Sequence, residues 1–161
     1  MPDTQNDTIA AASSDTVAVP KKATKAARKE PDKGGFYWGL GRRKSSVARV
    51  RIKPGKGKLL INKKEVDKYF VRQQDRNSVV APLKAVDAEK SFDVFVNVRG
   101  GGTTGQAGAT LLGVARALKN FNEDYLQALR DSGHLTRDSR MVERKKYGRR
   151  GARRSFQFSK R

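Results

Sequence analysis

The sequence predicts one α/β domain followed by a cationic arm. Two stretches alternate with the period of two that a strand imposes: Ala48, Val50 and Ile52 against Arg49, Arg51 and Lys53, and Phe92, Val94, Val96 and Val98 against Asp93, Phe95 and Asn97. Ala107, Leu111, Val114 and Leu118 recur instead at helical spacing. With 161 residues and 36% hydrophobic content, the chain can build one modest core but not two.

Charge bounds the partners. Thirty-six basic residues against 16 acidic ones leave a net charge of +20, so the compact state repels itself unless a polyanion neutralises it. Nucleic acid is the default partner. A membrane surface is the competing polyanion, but no apolar run approaches a bilayer span, and the basic stretches lack the apolar helical face of an interfacial anchor. There is no cysteine and a single histidine, His134, so neither disulfides nor a thiolate or histidine metal cluster is expected, and no cofactor.

Residues 1–35 read as a disordered extension. Asp3, Asp7 and Asp15 with no basic residue occupy its first part, an acidic start unlike a secretory or transit segment; the sign switches at Pro20. Lys21, Lys22, Lys25, Arg28 and Lys29 are either a solvated charge run or a second nucleic-acid arm.

Order is expected from Phe36-Tyr37-Trp38, giving a domain over 36–135. Arg42, Arg43, Lys44 and Ser45 follow at once, beside Gly41 and Ser46. Guanidinium forks, hydroxyls and close backbone approach suit phosphate oxygens, so this stretch is a candidate RNA contact. The strand after it carries Arg49 and Arg51 outward, a basic face of the same kind. Pro54-Gly55-Lys56-Gly57 supplies turn chemistry, and Lys58–Asn62 reads as the returning strand of a hairpin.

From Lys63 to Ala81 the period lengthens to one or two short helices with Val66, Tyr69, Phe70, Val79 and Val80 inward, ended by Pro82. Leu83–Val86 is a candidate strand and Asp87–Lys90 a turn. The Phe92–Val98 strand is expected at the centre of the sheet.

That strand runs into Arg99-Gly100-Gly101-Gly102, where Gly100, Gly102 and Gly105 match the spacing of dinucleotide-binding turns. No strand follows the next helix to complete a βαβ unit. The alternative is a tight turn whose backbone and Arg99, Gly101 and Gly102 approach an RNA phosphate at a helix N-terminus. Thr103 and Gln106 have capping-box spacing, and Gly108 and Gly113 allow the helix close to the sheet. A last helix is expected from Asn122 as N-cap, with Tyr125, Leu126 and Leu129 inward and Gly133 as its C-cap.

Residues 136–161 form the arm. Eleven basic residues against Asp138 and Glu143 concentrate +9 there, and Gly148 and Gly151 interrupt any helix. Fully extended, it reaches roughly 85 Å.

The motifs Gly41-Arg42-Arg43-Lys44-Ser45-Ser46, Val98-Arg99-Gly100-Gly101-Gly102, Gly105-Gln106-Ala107-Gly108-Ala109, Thr136-Arg137-Asp138, Val142-Glu143-Arg144-Lys145-Lys146 and Gln157-Phe158-Ser159-Lys160-Arg161 resemble, in order and spacing, the small-subunit ribosomal protein S-nine family in its bacterial form. The likeness runs from about Phe36 to Arg161. It implies a two-layer α/β sandwich similar to the second domain of ribosomal protein S-five, with no enzymatic activity. The protein is then a structural constituent of the cytoplasmic small ribosomal subunit, on ribosomal RNA in the head and beside other head proteins.

The resemblance also implies that the arm threads ribosomal RNA. Arg137, Arg144, Lys145 and Lys146 would meet phosphates near its root, and Arg149, Arg150, Arg153 and Arg154 further out. Ser159, Lys160 and Arg161 would approach the anticodon stem-loop of the transfer RNA in the peptidyl site, while Tyr147, Phe156 and Phe158 stack on bases or fill grooves. Charge alone leaves a free nucleic-acid chaperone or DNA-compacting factor as the other binding reading.

Overall fold

A computed structural model describes residues 31–160. The strands are β1 (Tyr37–Arg43), β2 (Ser46–Pro54), β3 (Leu59–Ile61), β4 (Lys64–Glu65) and β5 (Phe92–Arg99). The helices are α1 (Val66–Tyr69), α2 (Gln73–Lys84), α3 (Thr103–Phe121) and α4 (Tyr125–Asp131). The strands form one mixed sheet in the order β1-β2-β5-β3-β4, in which only β3 and β5 run parallel. The predicted α/β class and the central place of the Phe92–Arg99 strand are what the structure has.

Alternation decides which side of the sheet is covered. Ala48, Val50 and Ile52 of β2 and Phe92, Val94, Val96 and Val98 of β5 are buried on one side, where α3 lies across β1 and β2 and α2 packs on α3. Each fully buried Val, Leu or Ile contributes about 1.5–3 kcal/mol. Arg49, Asn97 and Arg99, on the other side, face solvent.

The strand β1 was not expected from the sequence, because its helix-facing positions are Gly39 and Gly41, where the pattern offers no apolar signal. The helix explains them. A Cβ on Gly39 would strike the carbonyl of Gly113 and come 2.7 Å from the amide of Ala117; one on Gly41 would strike the carbonyl of Ala109. From the helix side, a Cβ on Gly113 would lie 2.5 Å from Val50 Cγ2. Backbone rests on backbone here. The outer edge of β1 is covered as well: Arg116 donates to the Leu40 carbonyl at 2.8 Å and Asn120 to that of Trp38 at 2.8 Å, which blunts an edge otherwise open to strand addition.

Several local expectations are corrected. Residues 58–62 do not return along β2. β5 takes that slot, and Leu59–Ile61 pairs parallel to β5 on its far side, with Val94 donating to the Lys58 carbonyl and Asn62 to that of Val96. Alternation specifies a strand and its buried face but not its neighbour. The connection is held by Asp93, whose carboxylate accepts from the amides of Lys56 at 2.9 Å and Lys58 at 3.0 Å. The bond from Lys58, then that from Lys56, holds this carboxyl below its ordinary range.

Pro82 does not end its helix; α2 runs two residues further, with the ring buried, and Leu83, expected in a strand, is a buried residue of its last turn. Proline's fixed φ is helical, so near a C-terminus it removes one bond without breaking the turn. Thr103 is not a cap. Gly102 is the N-cap of α3 and makes no side-chain bond, while Gln106 donates to the Gly100 carbonyl at 3.2 Å and accepts from the Tyr69 hydroxyl at 2.8 Å.

Asn122 closes α3 rather than opening α4, whose N-cap is Asp124; its extended backbone supplies the break, and its side chain accepts from the Asp124 amide. Gly133 lies one residue beyond the C-cap Ser132, at φ +70°, with its amide on Arg130 and that of His134 on Leu129, the paired bonds of a Schellman end. Leu111 is only half-buried, whereas Thr110 and Leu112 are buried, because α3 is covered on more than one side. After α4 the described residues hold no helix or strand. The cationic stretch at Lys21–Lys29 lies outside the described residues.

Candidate nucleic-acid interface

Two turns that are far apart in the sequence meet at one end of the sheet. The β1–β2 hairpin turns at Lys44, φ +51°, and Ser45; the β5–α3 connection turns at Gly100, φ +74°, and Gly101, φ +65°. They abut. A Cβ on Gly100 would lie 2.8 Å from the Ser45 carbonyl, and one on Gly101 would strike Ser46 Oγ, which donates to the Gly100 carbonyl at 3.0 Å. Glycine is required at both positions, by left-handed φ and by contact.

This junction brings Lys44, Ser45, Gly101 and Gly102 together at the N-terminus of α3, with Met141 and Val142 of the arm lining the same cleft. Thr103 and Thr104 are exposed there. The first amides of a helix have no partner within it, and its dipole favours an anion at this end. Arg42 is exposed on β1 and Arg99 on β5; in the sheet both neighbour Val47.

Arg43 has a different place. Strand alternation turns it to the helix side, into space left by Gly108, where an added Cβ would lie 2.8 Å from its Nη1. So Gly108, expected to bring α3 near the sheet, instead accommodates a guanidinium. Arg43 bonds Asp138 at 2.9 Å and the Thr104 carbonyl at 3.3 Å. Asp138 also accepts from the Arg140 amide at 3.1 Å, Nε at 3.0 Å and Nη2 at 3.0 Å. The latch ties the root of the arm to β1 and α3. Nothing in the sequence pairs Arg43 with Asp138; an acid among the basic residues at the root of the arm is the only signal it offers.

The Arg140 side chain, then its amide, then Arg43 hold the Asp138 carboxyl far below its ordinary range. A depressed carboxyl contributes its stabilisation above its unfolded value and loses it as pH falls through the folded one. The latch should therefore stay closed from neutral pH down through pH 5. Asp138→Asn should speed amide exchange over residues 136–142 several-fold at pH 7 while leaving β2 and β5 protected; unchanged exchange at the arm root would show that the latch does not hold it.

Beyond the root, the arm is exposed and closes on itself. Glu143 accepts from Arg153 Nη2 at 2.5 Å and pairs with Lys146 at 3.8 Å. The Arg150 amide donates to the Arg154 carbonyl at 2.9 Å, and its guanidinium lies 5.1 Å from the Phe156 ring centroid. The Arg149 and Arg154 side chains make no ion pair among the described residues. Tyr147 is 93% exposed and Phe158 83%. Arg137, Arg144, Lys145 and Lys160 are exposed too, and Arg161 lies outside the described residues.

The dinucleotide reading fails on topology, since among the described residues α3 is followed by α4 and the arm, never by a strand. These features define a class: a basic α/β protein with a cationic arm latched to its domain.

The family model for "Ribosomal protein S9/S16" matches residues 41–161, and the chain belongs to that family. Similar proteins named "Small ribosomal subunit protein uS9" include those of Chlorobaculum tepidum, 54% identical over 122 residues (76% of this chain, 95% of the relative), and Anaeromyxobacter sp. strain K, 54% over 122 residues (76% and 94%). That of Rhodopirellula baltica is 54% identical over 127 residues (79% and 93%).

Proposed function

We propose that this chain is a structural constituent of the cytoplasmic small ribosomal subunit. Its domain, over 36–135, is read as a two-layer sandwich similar to the second domain of ribosomal protein S-five, bound on ribosomal RNA in the head beside other head proteins. Residues 1–35 are an extension outside that assembly core, and residues 136–161 run as an arm into the RNA, with Ser159, Lys160 and Arg161 at the transfer RNA of the peptidyl site. The reading needs no catalysis, and the family to which the chain belongs is one of ribosomal proteins.

The observation that carries it is the junction of the two turns with the arm root. Lys44, Ser45, Gly101 and Gly102 gather where α3 offers unpartnered amides, and Asp138 fixes the arm beside them. One RNA could therefore meet domain and arm together. Arg42 and Arg99, at the strand ends that lead into the two turns, and Arg137, next to Asp138, are read as further contacts there, and Lys145, Lys146, Arg149 and Arg154 carry the contact outward.

The chain should co-sediment with small subunits at moderate salt, as a free nucleic-acid chaperone would not; release into the top fractions would count against the proposal. Deleting Ser159 to Arg161 should leave assembly intact and weaken transfer-RNA binding at the peptidyl site. Unchanged binding by subunits carrying the truncated chain would remove the tip contact from the proposal.

A further inference from the structure

The helices cover one side of the sheet; among the described residues no helix covers the other. Its cross-strand rows are set by register. Trp38 of β1 stands opposite Arg51 of β2, which stands opposite Phe95 of β5. Phe36, just before β1, folds over this row and meets the Phe95 ring edge-on at 6.1 Å between centroids. The Arg51 guanidinium lies 5.2 Å from the Phe36 centroid and 5.5 Å from that of Phe95, and Lys53 Nζ lies 5.8 and 5.7 Å from the same rings. Trp38 is 42% exposed, with its indole N–H held by Asp32 at 3.1 Å.

We propose that this open face is a stacking surface for unpaired RNA bases, with Trp38 as the principal partner and Arg51 as the cation beside it. The inference deepens the RNA-binding reading above and rests on it. Three features select this occupant. The face is cationic: Arg42, Arg49 and Arg99 join Arg51 and Lys53. Its acids are already engaged, Asp32 by the Trp38 N–H and the Lys33 amide, Asp93 by the amides of Lys56 and Lys58, and Glu65, at the far edge, by Lys68 at 2.9 Å.

The cations are also ordered by rings, Arg51 and Lys53 lying over Phe36 and Phe95, and the half-exposed Trp38 stands beside them in the row. Bases stack on aromatic and guanidinium planes only when they are unpaired, since a duplex keeps its base faces within its own stack. Arg49 and its cross-strand neighbour Asn97, both exposed, lie in the adjacent row, within reach of phosphates and base edges. An acidic protein would satisfy the charge but would leave the exposed Trp38 indole without a stacking partner.

Trp38 is the only tryptophan in the chain, so its emission reports this face directly. The full chain should be titrated with a single-stranded 12-nucleotide RNA, the same sequence as a duplex, inorganic polyphosphate and polyglutamate. Quenching is expected with the single strand and not with the other three at matched occupancy.

Trp38→Ala should weaken single-strand binding by roughly fivefold to a hundredfold, and Trp38→Phe should recover most of the loss. Circular dichroism would verify that both variants keep the fold, and Arg51→Gln, at a second member of the row, should weaken binding in the same direction. RNA binding with unchanged emission and an unaffected Trp38→Ala variant would overturn the stacking surface while leaving arm-mediated binding intact. Equal quenching by polyglutamate would assign the face to an acidic protein instead. Absence of RNA binding by any form of the chain would sink both this inference and the reading beneath it.

Discussion

Gly41→Val is expected to destabilise the domain by about 3 kcal/mol or more, lowering its melting temperature by roughly 12–24 °C. The reason is that everything in the way is backbone. A side chain at position 41 would overlap the Ala109 carbonyl oxygen and lie 2.6 Å from the Gly113 amide nitrogen and 2.9 Å from the Ala109 carbonyl carbon. No rotamer change relieves those clashes; α3 must move off β1. That movement would loosen Val114, Ala117 and Leu118, all fully buried.

Two control substitutions separate this cause from glycine chemistry in general. Gly151→Ala places its Cβ no closer than 3.7 Å to Arg154 Cβ and should change stability little. Gly133→Ala has open space but a φ of +70°, so it should cost about 1 kcal/mol through backbone strain alone. Urea or thermal melts of the three variants would check the order. A Gly41→Val protein within about 0.5 kcal/mol of the parent, the usual scatter of surface changes, would mean that α3 does not rest on β1 in this way.

The same glycines show why part of the fold was legible from the sequence and part was not. β2 and β5 carry apolar residues at every second position because they cross the middle of the core, and that pattern is local. β1 crosses it too, but at Gly39 and Gly41 the buried position must be empty of side chain, so the signal that marks a strand is missing from a strand that is present. The partner of Leu59–Ile61 depended on β5, roughly thirty residues later, entering the slot beside β2, which no local pattern encodes. α3 was readable as a helix and misjudged at Leu111, because a helix covered on several sides has no single stripe.

The site divides in the same way. The charge of the arm is written in consecutive residues, and so is the glycine turn. That Arg43 faces inward to Asp138, or that Phe36 and Phe95 bracket Arg51, follows only from strand direction and register. The single acid of the Thr136-Arg137-Asp138 motif was visible, but its partner sits across the fold on β1.

Replacing Arg149, Arg150, Arg153 and Arg154 together by Gln is expected to reduce the salt dependence of RNA binding by roughly 0.7–0.9 log units for each phosphate that is no longer neutralised. If all four meet phosphates, the slope falls by about 3, which at physiological salt corresponds to a loss of affinity of roughly a hundredfold or more. The four are not equivalent before RNA arrives. Arg149 and Arg154 make no ion pair among the described residues, so the Arg149→Gln, Arg154→Gln pair should lower the slope by about 1.4–1.8.

Arg153 must first leave Glu143, to which it donates from both Nε and Nη2, and Arg150 lies over Phe156. Glu143→Gln should therefore strengthen RNA binding, because it frees Arg153 and removes a carboxylate from the path of the phosphates. Binding to small-subunit RNA across a series of potassium chloride concentrations would measure all three variants. A quadruple variant with an unaltered slope would place the phosphate contacts on the domain, and a Glu143→Gln variant that binds more weakly would mean that the closed loop of the arm is itself the form RNA selects.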